Sequence, residues 1–129
     1  LFSTCVKGGG MPLFISKEFT FDAAHQLVNY NGKCENLHGH TYKLRITLTG
    51  DIDKSGMIID FNLIKKIVEE KIIEKLDHNF LNNIVAQPTA ENILLWIWQE
   101  LYPVFNFPNC KLYEITLWET ENSFVTYRE

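Results

Sequence analysis

The stretch Cys34-Glu35-Asn36-Leu37-His38-Gly39-His40 runs directly into Thr41-Tyr42-Lys43-Leu44-Arg45-Ile46-Thr47-Leu48-Thr49, and the reading of that join decides the fold. The second run alternates polar and apolar residues, the period of a β-strand half-buried on one face. Carried back, the same alternation puts His38 and His40 on the face of Tyr42, Leu44, Ile46 and Leu48, because successive strand side chains point to opposite sides. Two imidazoles at the entry of an apolar row form a chelating pair. The alternative, a strand with two polar residues at its solvent end, sits poorly with the apolar row that follows. Gly39 leaves no side chain on the opposite face.

Toward the N-terminus, Phe19, Phe21, Ala23 and His25 alternate with Glu18, Thr20, Asp22 and Ala24. This predicts a strand from Leu13 to His25 whose apolar face is closed by His25. The turn-rich Asn29-Tyr30-Asn31-Gly32 joins it to the next strand. His25, His38 and His40 on two adjacent strands make an open tripod of the kind a catalytic zinc ion uses, with one position left for water or substrate. Cys34 then has three readings. It is a fourth ligand that closes a structural site, a free thiolate made more acidic by the ion and by Lys33, or an inert buried thiol; its Gly/Asn loop argues against the last.

Downstream, Gly50 to Gly56 is a polar turn and Met57-Ile58-Ile59 reads as a short return strand. Asp60 or Asn62 caps a helix to about Leu76, with Ile64, Ile67, Val68, Ile72 and Leu76 on its buried side. Asp77 and His78 follow its last turn, where the helix dipole favours a protonated imidazole suited to a general acid. Asp77 orients His78 if the chain turns between them; otherwise His78 is a surface cap residue. A second helix follows Pro88, capped by Thr89 and ending at Leu101. It is apolar nearly all round, so it is expected to pack on a sheet and also to meet a second subunit. Lys111 to Thr120 and Ser123 to Arg128 form a last strand pair across Glu121-Asn122, with Lys111, Tyr113, Ile115, Leu117 and Glu119 sharing a face. Glu119 is the remaining acid of interest, against the plainer reading of a solvated strand end. The order gives an α+β domain, an antiparallel sheet with two helices on one face.

The 129 residues suit one domain. Residues 1–10, ending in three glycines before Met11, are expected to be an expression remnant or a disordered extension, leaving 11–129 as the folded unit. With 46% hydrophobic and 22% charged residues the chain reads as globular and soluble. A net charge of −4 with no polybasic block argues against nucleic acid as a partner. No apolar run approaches the roughly 20 residues that span a bilayer, which argues against a membrane protein. Cys5, Cys34 and Cys110 are odd in number and far apart, a usage that suits the reducing cytoplasm.

Six blocks, taken in order, carry a resemblance. They are Phe21-Asp22-Ala23-Ala24-His25, Cys34-x-x-x-His38-Gly39-His40, Gly56-Met57-Ile58-Ile59-Asp60-Phe61, Leu76-Asp77-His78, Pro88-Thr89-Ala90-Glu91-Asn92 and Glu119-Thr120. Together they resemble the 6-pyruvoyl-tetrahydropterin synthase family, most closely its bacterial 6-carboxy-tetrahydropterin synthase branch in queuosine biosynthesis. The resemblance runs from about Met11 to the C-terminus. It implies a tunnelling (T) fold in which subunits join their sheets into a β-barrel ring, two rings stacking into a homohexamer with sites between subunits. It implies Zn²⁺ on His25, His38 and His40, Cys34 as the proton-abstracting base, Asp77 and His78 as relay and proton donor, and Glu119 as the carboxylate that grips the pterin ring. The implied substrate is 7,8-dihydroneopterin triphosphate.

The branch turns on the spacer between the cysteine and His38. The 6-carboxy branch resembles this chain in having three residues there, Glu35 to Leu37, whereas animal-type pyruvoyl synthases have more. A branch with glutamate in place of the cysteine is disfavoured by Cys34. The resemblance leaves as alternatives the pyruvoyl product, formed by triphosphate elimination alone, and a non-catalytic zinc module with Cys34 completing the shell. Another pterin or purine enzyme on the same fold is a third, with the tripod and Cys34 arguing against aldolases. Lys17, Lys33, Lys43 and Lys54 are candidate triphosphate contacts that the sequence does not rank.

Overall fold

The computed structural model describes residues 13–29 and 36–129. Cys34, Lys33 and residues 1–10, with the expectations attached to them, lie outside that range. Six strands and three α-helical segments follow one another as β1 (Leu13–His25), β2 (His38–Gly50), α1 (Phe61–Val68), α2 (Glu74–Leu76), β3 (Asn79–Phe80), α3 (Ala90–Leu101), β4 (Asn106–Phe107), β5 (Cys110–Thr120) and β6 (Ser123–Arg128). Glu69–Ile73 joins α1 to α2 as a π-helical turn, so the expected helix from Asp60 to Leu76 is continuous in space but not uniform.

The buried residues of that helix explain the π turn. Ile64, Val68, Ile72 and Leu76 are each fully or almost fully buried and each four apart. In an α-helix a spacing of four overshoots a full turn by about 40° per step, which swings the stripe off the sheet. A segment with more residues per turn brings it back.

The long strands run β1-β2-β5, all antiparallel, with β4 and β6 on the far side of β5 and β3 beside the end of β1. β3 is the exception to the antiparallel expectation, pairing in parallel through Ala23 with Asn79 and Ala24 with Phe80. The helices cover one face of this sheet. Between them lies a core that includes Leu44, Ile46, Leu48, Ile93, Ile97, Ile115 and Leu117. Trp98 belongs to this core, stacking on Tyr102 and meeting Tyr127 edge-on, while Leu95 on α3 remains 43% exposed.

Two expectations fail for physical reasons. Met57-Ile58-Ile59 is not a strand. Its backbone is committed elsewhere: Met57 O accepts from Asp53 N, and Ile58 O accepts from the side-chain amide of Asn109. The second failure is in β5. Leu48 pairs with Leu112 but Thr47 with Glu114, so Tyr113 is an extra residue, a β-bulge. Before it the even residues Cys110 and Leu112 are buried; after it the odd residues Ile115 and Leu117 are. Lys111 and Tyr113 therefore do not share the face of Ile115, and Glu119 reaches the core face only because the bulge changes the phase.

Both expected helix caps are present. Asp60 accepts from Asn62 N and Thr89 from Asn92 N. Thr89→Ala is expected to cost about 1 kcal/mol by removing one acceptor from the first turn of α3, read as a lower urea midpoint with unchanged slope.

Candidate metal centre and active site

β1 and β2 pair without interruption from Leu13 with Gly50 to His25 with His38. That register sets Ala23 opposite His40 and His25 opposite His38, so the three imidazoles converge on the core face at the end of the sheet. One nitrogen from each lies within 4.8 Å of the others. His25 is 2% exposed, His40 half-buried and His38 exposed, so the cluster opens to solvent on the His38 side.

The hydrogen bonds behind the rings define their protonation. His25 Nδ1 lies 2.8 Å from Pro88 O, and His38 Nδ1 lies 2.8 Å from Asn36 O. A carbonyl oxygen only accepts, so each Nδ1 carries its hydrogen and each neutral ring turns a lone pair inward at Nε2. These two Nε2 atoms are 3.1 Å apart. Two lone pairs at that distance repel unless a cation stands between them. Two donors on one tetrahedral zinc, with bonds of 2.0–2.1 Å, are separated by roughly 3.3 Å.

His40 Nε2 is buried with no hydrogen-bond partner. Burial pushes its imidazole below the usual value against the opposing charge of Glu119, and His25 and His38 push it the same way as burial. A neutral imidazole with an unshared inward lone pair is the form that binds metal. The donor set, the carbonyl-fixed tautomers and the orphaned nitrogen all fit a metal ion. The carbonyls of Pro88 and Asn36 act as the outer supports that metal-binding histidines use. Neither is visible in the sequence, since any residue offers a carbonyl.

Glu119 joins this group from β5. Its Oε2 is 3.8 Å from His25 Nε2 and its side chain is 30% exposed. The residues brought together on the core face are thus His25, His38, His40, Glu119 and, beneath them, Tyr42, which the sequence reading treated only as part of the apolar row.

Asp77 and His78 lie elsewhere. His78 is not in the last helical turn: Asp77 is extended and His78 has a φ of 58°, in the left-handed region that non-glycine residues seldom adopt. That turn supplies the pairing expected of the two. His78 Nδ1 is 3.0 Å from Asp77 Oδ2, while Asp77 Oδ1 accepts from Asp22 N at 2.9 Å and His78 N donates to Asp22 O at 2.6 Å. Asp22 N–H, chiefly, and His78 hold the Asp77 carboxyl below its usual range despite the opposing effect of desolvation. Asp77 therefore stays ionised through neutral pH, and its hold on β1 is lost only as pH falls through that lowered value.

The dyad stands beside Asp22 and Thr41, whose side chains hydrogen-bond each other. Both occupy the strand face opposite the histidines. Here a concave surface is lined by Asp22, Ala24, Gly39, Thr41, His78 and Phe80, and His40 also borders it. Gly39 lies on its floor, where an added Cβ would make only ordinary contact, 3.4 Å from Ala23 O. Within one chain, then, the dyad sits beside Asp22 and Thr41 on the strand face opposite the imidazole rings, and His40 is the histidine that borders the cavity beside His78.

Lys43 is engaged by Glu18 at 3.4 Å and lies over the Trp118 ring, while Lys17 lies over Phe61. No helix among the described residues is long and apolar enough to cross a membrane.

Comparison with known proteins agrees with this geometry. Residues 14–129 match the family model described as 6-pyruvoyl tetrahydropterin synthase. The chain is 38% identical over 141 residues to the 6-carboxy-5,6,7,8-tetrahydropterin synthase of Haemophilus influenzae, covering 89% of this chain and 98% of that protein. It is 42% identical over 101 residues to the dihydroneopterin monophosphate aldolase of Pyrococcus furiosus, covering 78% and 83%. Its fold matches that of the Caenorhabditis elegans 6-pyruvoyl tetrahydropterin synthase with a TM-score of 0.77 at 25% identity, over 92% of this chain and 96% of that one. Fold, histidine cluster and sequence likeness meet in one conclusion: the chain belongs to the 6-pyruvoyl tetrahydropterin synthase family.

Proposed function

We propose that this chain is a zinc-dependent lyase converting 7,8-dihydroneopterin triphosphate and water to 6-carboxy-5,6,7,8-tetrahydropterin, acetaldehyde and triphosphate, in the queuosine pathway of the cytoplasm. The observation that carries the metal part is the pair of inward lone pairs on His25 and His38, 3.1 Å apart and fixed by carbonyls behind them. The 38% likeness to the Haemophilus influenzae protein supports the substrate and product.

His25, His38 and His40 would hold the zinc, which when bound supplies a Lewis acid for the oxygens of the pterin side chain. Cys34, four residues before His38, would take a side-chain proton as thiolate. His78, with Asp77 behind it, would return a proton on the other side of the substrate. Glu119 would accept hydrogen bonds from the pterin NH groups and so set the ring beside the histidines. Because the dyad sits beside Asp22 and Thr41, on the strand face opposite the imidazole rings, the complete site would combine the histidine face of one subunit with the dyad of another. This fits a ring of subunits, and a hexamer of two stacked rings is the assembly we assign.

The pyruvoyl product differs from the 6-carboxy product and acetaldehyde together by one water, so the two outcomes share the proton-moving steps. A second reading, in which carbon–carbon cleavage is the main reaction as in an aldolase, is favoured by the likeness to the Pyrococcus furiosus protein.

Anaerobic incubation of the zinc-loaded protein with 7,8-dihydroneopterin triphosphate, with mass spectrometry of the pterin and an acetaldehyde assay, separates these. The expected result is 6-carboxy-tetrahydropterin with one acetaldehyde per pterin. A pyruvoyl product without acetaldehyde moves the chain to the sister activity. Acetaldehyde-free cleavage that gives 6-hydroxymethyl-7,8-dihydropterin and a two-carbon aldehyde still carrying the triphosphate supports the aldolase reading.

A further inference from the structure

Among the described residues, two buried side-chain polar atoms have no hydrogen-bond partner: His40 Nε2 and Tyr42 Oη. A metal ion accounts for the first. It does not account for the second.

Tyr42 is fully buried. Its ring is stacked on Phe21 with centroids 5.0 Å apart, and it meets His40 and His25 edge-on at 5.6 and 6.2 Å. The packing is that of an aromatic ring and needs no hydroxyl. A buried O–H without an acceptor is a cost that phenylalanine would avoid at the same position. The hydroxyl therefore points to an acceptor met when the site is in use.

The strand register identifies the acceptor. β2 and β5 pair through Leu44 with Leu117 and Lys43 with Trp118. The ladder of pairs ends there, and the same register carried one residue further would bring Tyr42 across from Glu119 on the core face. Cross-strand residues so placed have their Cβ atoms about 4.5–5.5 Å apart. The Glu119 carboxylate stands 3.8 Å from His25 Nε2.

We propose that Tyr42 is a positioning residue for Glu119: its hydroxyl donates to one carboxylate oxygen and so turns the other toward a pterin ring held beside the histidines. This rests on the reading of Glu119 as the pterin-gripping group. Tyr42 acts through Glu119 and touches no reacting atom.

The test is a double-mutant cycle of Tyr42→Phe and Glu119→Gln in the full-length, zinc-loaded protein, with neopterin as the fluorescent probe. Tyr42→Phe should weaken neopterin binding roughly tenfold or more, the effect of one lost hydrogen bond to a charged carboxylate. Glu119→Gln should weaken it more, and the double variant no further than Glu119→Gln alone. Zinc content should stay at the wild-type value, and the Tm of metal-free Tyr42→Phe should equal or exceed wild type, because an orphaned polar atom has been removed. Additive losses in the cycle, or wild-type binding by Tyr42→Phe, would overturn the proposal while leaving the pterin reading intact. A fall in Tm with unchanged binding would make Tyr42 a packing residue only. Failure of the wild-type protein itself to bind neopterin would instead remove the pterin reading, and the proposal with it.

Discussion

His25→Ala is expected to abolish metal binding and to lower stability by about 2–4 kcal/mol, the combined effect of a cavity and a stranded carbonyl. The side chain is 2% exposed and its Nδ1 holds Pro88 O at the start of α3. Truncation removes one of three inward nitrogens and leaves the Pro88 carbonyl with no partner in a dry place. His38→Ala is the informative companion. His38 is exposed, so its loss should release the metal equally while shifting the urea midpoint little. Zinc per chain by atomic absorption, measured beside urea denaturation of both metal-free variants, separates the two roles. Retention of a full equivalent of zinc by either variant would contradict the tripod.

Cys34→Ala carries the second large effect, on turnover. If the thiolate is the base, its removal should lower kcat by about 10²–10⁴, the usual contribution of a positioned proton acceptor. Zinc content and Tm should not move, because three histidines already satisfy an open catalytic site. Parallel loss of zinc and activity would instead place the sulfur in the metal shell and favour the structural-module reading. Cys34→Ser gives a finer measure. It keeps the size of the side chain but raises its pKa, so residual activity in Cys34→Ser that grows with pH would identify proton abstraction as the missing step.

Much of this architecture was legible because the responsible residues act through period and register. Alternation put His38 and His40 on the buried face of β2 and His25 on that of β1, and the β1–β2 register then made the cluster inevitable. The caps at Asp60 and Thr89 were legible for a similar reason, being local side-chain-to-backbone bonds. What escaped depends on contacts made at long range. Met57 to Ile59 has the composition of a strand, yet the Asn109 amide takes the Ile58 carbonyl that a ladder would need. His78 adopts its positive φ because Asp22, 56 residues earlier in the chain, accepts from its N–H and donates to its neighbour Asp77. Tyr42 was counted only as an apolar residue, although its position two after His40 on the same face was available as a signal.

The bulge at Tyr113 has a further consequence for how the length of this chain can vary. Leu112 faces inward, Glu114 outward and Ile115 inward, so excision of Tyr113 would restore plain alternation with every remaining residue of β5 on its present side. Excision of Ile115 would not: everything from Thr116 onward would exchange faces relative to Leu112 and Glu114, carrying the Glu119 carboxylate away from the histidines. Tyr113 is thus the point in β5 where a one-residue deletion is expected to leave the chemistry at the other end of the strand undisturbed.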